Sequence, residues 1–218
     1  MRGAFFDVDY TVLSNNSATL FVKYMRKEGK VGLKELAFTL YWVIRYKLNL
    51  VDFEEVAGRE VAKMAGESER EMIELCDRWF SQMVIDYIYS DARALIEEHK
   101  RLGDVVVLLS AATVYLVRPL AEHLGIEHYL CNRLEVDDEG SFTGGLIRPF
   151  SYGQGKIVLA EKFAASHGLD LSNSLYYSDS ITDLPVLEHF GEPRVVNPDF
   201  LLRKEAKRRG WPVLEFKV

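Results

Sequence analysis

The chain has 218 residues, 48% hydrophobic and 28% charged, and its 33 acids against 27 bases give a formal charge of −6. A chain of this length hides roughly 70% of its unfolded surface, so neither disulfides nor a structural metal is needed to hold it. The acidic balance excludes a general nucleic-acid binder, and apolar residues spread along the whole length exclude disorder.

Ala4-Phe5-Phe6 is a short apolar run ending in acids, the pattern of a buried strand that delivers carboxylates at its C-terminal end. From Ser14 to about Ser90 helical spacing takes over, with Leu20, Phe21, Tyr24 and Met25 first, then Leu33, Leu36, Ala37, Leu40, Tyr41 and Ile44. Asp52 with Glu55, and Ser68 with Glu71, read as capping boxes. After Asp91 the pattern changes. Helices are predicted at Ala92–Leu102, Val114–Leu124, about Lys156–His167, Leu184–His189 and Leu201–Arg209. Between them lie strands at Val105–Leu109, Ser174–Tyr177 and Arg194–Val196, with a hairpin turning at Asp137-Asp138-Glu139-Gly140. Strict alternation predicts an α/β fold: a mostly parallel sheet with helices on both faces. The first strand belongs to that sheet. Residues 1–13 and 91–218 therefore form the α/β core domain, and residues 14–90 an all-helical cap domain inserted after the first strand.

Cys76 and Cys131 lie far apart with no CxxC, and His99, His123, His128, His167 and His189 are scattered, which argues against zinc. The N-terminal residues reach Asp7 too soon for a signal peptide, and the apolar stretch Leu36–Ile44 is too short to span a bilayer. A cytoplasmic location is expected.

The chemistry concentrates at strand ends. Asp7-Val8-Asp9-Tyr10-Thr11 follows the first strand, placing two carboxylates near the crevice where open α/β sheets bind ligands. Ser110 follows the next strand, Lys156 opens a helix after Gly153-Gln154-Gly155, and Asp179 and Asp183 follow the strand ending at Tyr177. Each alone reads equally well as a cap, a solvated lysine or a turn. Their order on one sheet is what singles them out.

Together these pieces resemble the four motifs of the haloacid dehalogenase-like (HAD) hydrolase superfamily, in particular its subfamily IB, the phosphoserine-phosphatase-like branch. The resemblance covers nearly the whole chain. It is carried by Phe5-Phe6-Asp7-Val8-Asp9, Leu109-Ser110-Ala111-Ala112 and Tyr177-Ser178-Asp179-Ser180-Ile181-Thr182-Asp183-Leu184-Pro185, with Val196-Asn197-Pro198-Asp199 and Arg209-Gly210-Trp211-Pro212 in support. It implies a Rossmann-like core with a helical cap and hydrolysis of a phosphomonoester through an aspartyl-phosphate. Asp7 would be the nucleophile, and Asp9 the general acid, then base. Crowding by the other acids is expected to make Asp9 hold its proton. Four carboxylates would repel a phosphate dianion, so Mg²⁺ is expected, held by Asp7, the Asp9 carbonyl and Asp179. Asp183, Thr11, Ser180 and Thr182 would support that shell. Lys156, Ser110 and the Ala111 amide would bind the phosphate. An acid at Asp9 favours phosphate over halide, because a departing halide needs no proton.

Several positions depart from the branch. Tyr10 stands where Gly is common, and Ser178 sets a Cβ against the metal loop where Gly is usual. Ser14-Asn15-Asn16-Ser17 offers no acid for a substrate ammonium, and Thr182 replaces an Asn. Phosphoserine is therefore expected to be a poor substrate. Residues 14–50 carry seven bases (Lys23, Arg26, Lys27, Lys30, Lys34, Arg45, Lys47) against Glu28 and Glu35, interleaved with aromatics. That reads as a solvated basic face over an aromatic core, or as a surface meeting an anionic, lipid-like substrate or a membrane. The expected partner is a small-molecule phosphomonoester. A lysophospholipid-type phosphatase, a phosphotransferase and a catalytically silent module on the same fold are the alternatives.

Overall fold

Gly3–Phe6 (β1) has no solvent-facing side: all four residues are buried. The computed structural model, which describes residues 1–32 and 53–217, explains this by placing β1 inside a six-stranded sheet. The other strands are Val105–Thr113 (β2), His128–Asn132 (β3), Leu175–Ser178 (β6), Glu192–Val196 (β7) and Val213–Leu214 (β8). They hydrogen-bond in the order β3-β2-β1-β6-β7-β8, and every pairing is parallel. Leu134–Val136 (β4) and Phe142–Leu146 (β5) form a separate antiparallel hairpin around the predicted turn.

The period-2 alternation of strand side chains sorts the core into two layers. Phe6, Val106, Leu108, Tyr177 and Val196 pack on one face, with Phe6 stacked on Tyr177 at 4.4 Å between ring centres. Phe5, Val107, Leu109, Tyr176 and Val195 pack on the other. Helices cover both faces, which is why these strands read as unbroken apolar runs. Gln154–His167 (α6), Leu184–His189 (α7) and Phe200–Arg209 (α8) bury Ile157, Leu187 and Leu202 on the Phe5 side. Ser90–Leu102 (α4) and Val114–Leu124 (α5) bury Ile96 and Leu120 on the Phe6 side.

Between β1 and β2 the described elements are helical: Ser17–Lys27 (α1), Phe53–Ala62 (α2), Glu69–Gln82 (α3) and a 3₁₀ turn at Val84–Tyr87. Asn16 caps α1 by accepting from the Thr19 amide, and Ser68 caps α3 by accepting from the Glu71 amide at 3.4 Å. Leu20, Tyr24, Trp79 and Phe80 join the same apolar cluster as Leu120 and Phe142, so the insert and the sheet share one core. The expected helix at Leu33–Ile44, the Asp52 cap, and Lys34, Arg45 and Lys47 of the basic stretch lie outside the described residues. Among the described residues no helix is long and apolar enough to cross a membrane.

The structure departs from the sequence pattern at three strands. β2 continues past Leu109 through Ser110-Ala111-Ala112 to Thr113, where a loop is expected, because it keeps pairing with β3 as far as Asn132. β3 reads His-Tyr-Leu-Cys-Asn and lies at an edge, and β8 is two residues long; neither carries an apolar run.

Ahead of the strands, Arg2 donates two hydrogen bonds to Asp104 at 2.8 and 2.7 Å, and His99 bridges Asp104 to the Tyr177 hydroxyl. Burial pushes the Asp104 carboxyl up, but the hydrogen bonds from Arg2 and His99 outweigh it and hold the group below its ordinary 3.8. A depressed carboxylate stabilises the fold above its unfolded value, and that stability disappears as pH falls through the folded one. Asp104→Asn is expected to lower stability at neutral pH by about 1–2 kcal/mol. In denaturant titrations the gap from the parent should close below pH 3.8; a gap independent of pH would refute the ionic origin.

Candidate active site

From β1 the chain builds β2 and β3 on one side, then returns to add β6 on the other. The direction of winding reverses between β1 and β6, and such a switch point opens a crevice at the carboxyl ends of the strands. Asp7 follows β1 directly, its amide donating to the Tyr177 carbonyl at 2.9 Å, and Asp179 follows β6. Both are buried. A cavity of about 730 Å³ opens here, and Asp7, Asp9, Ser110, Ala111, Asp179 and Asp183 all line it.

The centre of this arrangement is Lys156, which is 2% exposed. Its ammonium has three protons to donate, and they reach Asp7 Oδ1 at 3.0 Å, the Tyr176 hydroxyl at 3.0 Å and Asp183 Oδ2 at 2.7 Å. The Tyr176 hydroxyl donates a hydrogen bond to Asp183 Oδ2 at 2.6 Å, and Ser178 adds a further donor at 2.9 Å. Desolvation works against the lysine's charge, but Asp183 and Asp7 override it and raise its pKa well above the ordinary value. Burial has the larger effect on Asp7: despite Lys156, its pKa rises to about 7, with Asp183 and Asp9 adding repulsion. Gly155 makes room for this lysine. A Cβ there would lie 1.7 Å from the Phe150 carbonyl oxygen, so only glycine lets the helix start turn so close.

Asp9 faces the start of α1. Its Oδ2 accepts from Asn16 Nδ2 at 2.7 Å and Ser17 Oγ at 3.0 Å, and its Oδ1 from the Ser17 amide at 2.9 Å. The same carboxylate therefore belongs to the strand end and to the entry into the helical insert. Ser110 Oγ accepts from the Ala112 amide at 3.1 Å, leaving its own proton to donate. Asn132 supports this segment: its Nδ2 donates to the Ala111 carbonyl at 2.6 Å and its Oδ1 accepts from the Ser151 amide at 2.7 Å. One buried amide thus ties the end of β2 to the approach to Lys156.

The remaining predicted residues shape the loops. Ser180 and Thr182 hydroxyls lie 3.0 Å apart, and Ser180 accepts from the Thr182 amide. Thr11 is fully buried, and its hydroxyl has no hydrogen-bond partner among the described residues. Ser178 is buried, and its hydroxyl donates to Asp183. Tyr10 has φ 58°, in the left-handed region that glycine adopts freely, so its backbone carries a cost of about 1–2 kcal/mol. Asn16, Ser17, Asn132, Tyr176 and Asp199 do not stand out in the sequence reading as site residues. Asp199 accepts from the Ile181 and Leu202 amides at 2.8 Å each, and its own amide donates to the Asp179 carbonyl. The N-cap signals at Asn16 and Asp199 were the available clues; for Asn132 and Tyr176 there was none.

Among the described residues, no three Asp, Glu, His or Cys side chains form a ready metal cluster. The cavity nonetheless presents carboxylates, and Asp183 Oδ1 is buried with no hydrogen-bond partner among the described residues. An all-oxygen set with few protein ligands fits a hard cation that keeps several waters, as Mg²⁺ does.

A family model described as haloacid dehalogenase-like hydrolase matches residues 4–188. A histidinol-phosphatase of Neisseria meningitidis serogroup C is 32% identical over 218 residues, covering 98% of each chain. A Bordetella pertussis Tohama I protein, solved without a known function, superposes with a TM-score of 0.87 at 27% identity over 98% of this chain and 97% of its own. A phosphoserine phosphatase solved as a phospho-aspartyl intermediate analogue superposes with a TM-score of 0.73 at 20% identity, over 100% of this chain and 95% of its own. That last likeness speaks to the fold.

Two substitutions test the supports. Asn132→Ala leaves a buried carbonyl and amide unpaired and is expected to cost about 1–3 kcal/mol in chemical denaturation; an unchanged midpoint would refute the tie. Tyr10→Val should be less stable than Tyr10→Asn by about 1 kcal/mol, because Asn tolerates the left-handed region and a β-branched residue does not. Thermal melts of the pair decide it.

Proposed function

The chain belongs to the haloacid dehalogenase-like hydrolase family, and from that premise we propose that it is a phosphatase that hydrolyses small organic phosphomonoesters through a phosphorylated Asp7. The observation that carries the reading is the 3.0 Å contact of buried Lys156 with Asp7, which lines one cavity together with Asp9, Ser110 and Asp179.

An Asp7 carboxylate oxygen attacks phosphorus, and the bond from phosphorus to the ester oxygen breaks. Asp9 gives its proton to the departing alkoxide, so the alcohol leaves neutral. Asp9 then takes a proton from water, the hydroxide attacks the same phosphorus, and the bond to Asp7 breaks, releasing inorganic phosphate. For the first of these transfers the carboxyl must carry a proton and turn it toward the leaving group. Exchange of its contacts with Asn16 and Ser17 allows that turn. Lys156 holds Asp7 in place and offsets its charge, while the Ser110 hydroxyl and the Ala111 amide donate to the transferring oxygens. The oxygen set fits Mg²⁺, with Asp7, the Asp9 carbonyl and Asp179 as its protein ligands and Asp183 beside them. When bound, the ion supplies the positive charge that lets a phosphate dianion approach these acids.

The second acid after the first strand also speaks on the leaving group. An acid at Asp9 serves an alkoxide, which needs a proton, and has no task when a halide departs.

Asp7→Asn is expected to abolish turnover of a phosphomonoester panel, and Asp9→Asn to lower kcat by about 10²–10⁴-fold. Removal of divalent cations by a chelator should stop the parent, and added magnesium should restore it. Persistent turnover by Asp7→Asn, or no phosphate release by the parent from any ester, would overturn the reading.

A further inference from the structure

The cavity that holds the catalytic acids is much larger than a phosphate requires, and its outer walls are apolar. Phe21 of α1, Val61 of α2, Met64 beyond it, Met72 and Trp79 of α3, and Leu146 of β5 line it together. Phe21 meets Trp79 edge to face at 5.1 Å between ring centres. Cys76 adds to this wall as a neutral thiol, its pKa pushed up to about 12, chiefly by burial. A volume of about 730 Å³ is that of a site for a whole organic molecule.

We propose that the group esterified to the phosphate is a bulky apolar one, at least the size of a fused aromatic ring, seated against this wall while the phosphate reaches Asp7. The inference rests on the phosphatase reading and names the substrate class of that same site. A further observation points the same way. Apart from Asp7, Asp9, Asp179 and Asp183, the carboxylate lining the cavity among the described residues is Glu60, which is paired with Lys63 at 2.6 Å, and Arg59 and Lys63 line it as well. Among the described residues a substrate ammonium therefore meets no unpaired acid in this wall. An aryl or alkyl body would displace water from apolar side chains, which favours binding in proportion to the area covered.

The test uses non-hydrolysable phosphonates and magnesium. Calorimetry on the parent and on Asp7→Asn compares naphthylmethylphosphonate with the phosphonate analogue of phosphoserine. The naphthyl compound is expected to bind about 100-fold more tightly. Met72→Glu, which sets a charge in the wall at a half-buried position, should shrink that ratio by about tenfold. Met64→Glu serves as an independent variant should the first fail to fold. Equal or tighter binding of the phosphoserine analogue overturns the substrate class. Turnover separates this failure from failure of the chemistry. If the parent cleaves phosphoserine in preference to naphthyl phosphate and Asp7→Asn cleaves neither, the phosphatase reading stands and this inference falls. If the parent releases phosphate from no ester of the panel while the naphthyl compound still binds more tightly, the apolar seat stands and the phosphatase reading falls.

Discussion

A single buried ammonium organises this protein. Lys156 reaches Asp7 at the end of β1, and Tyr176 and Asp183 at the C-terminal side of the sheet, so elements from three distant parts of the chain converge on one nitrogen. Such a group is stable in the interior only with compensation on every proton. Asp183 supplies much of that compensation: one of its oxygens accepts from Lys156, Tyr176 and Ser178 together, while the other is buried with no partner among the described residues. Removing any one partner strands a charge, so the network acts as a unit rather than as a set of separable contacts.

Around this charged centre, hydrogen bonds to the backbone carry out the fine placement. Asn132 fixes the peptide that follows Ser110, and Asp199 fixes the peptides on both sides of Ser180. Gly155 is defined by what it lacks, since a side chain there would collide with the Phe150 carbonyl. Asn16 and Ser17 link the second acid to the first turn of the helical insert. Asn16, Ser17 and Asn132 line the cavity beside the groups they position.

The distribution of legible and illegible features follows from this division. The parallel sheet was readable because strands covered on both sides are continuous apolar runs, as Val105–Leu109 shows. Asp7, Asp9, Ser110, Lys156, Asp179 and Asp183 were readable because charged or hydroxyl groups stood at strand ends and helix starts in a fixed order. Asn132 and Tyr176 were not: an asparagine after an edge strand and a tyrosine inside a core strand have no local signature, and their meaning lies in partners 19 to 21 residues away for one and 7 to 20 for the other. The donor role of Ser178 toward Asp183 was likewise not legible, because the sequence shows its bulk but not its partner. The conformational demand on Tyr10 was equally hidden, because φ is not written in side-chain type except where glycine stands.

The position of β1 has a consequence for how the molecule comes into being. This strand is made before both of its hydrogen-bonding neighbours, β2 and β6, which lie about 100 and 170 residues downstream. Loop closure over such separations is slow and comes late. While the ribosome is still working, Phe5 and Phe6 are therefore exposed apolar residues with unpaired backbone on both edges, a segment in need of shelter until β6 emerges. Asp7, whose amide bonds the Tyr177 carbonyl of β6, waits with the strand for that partner.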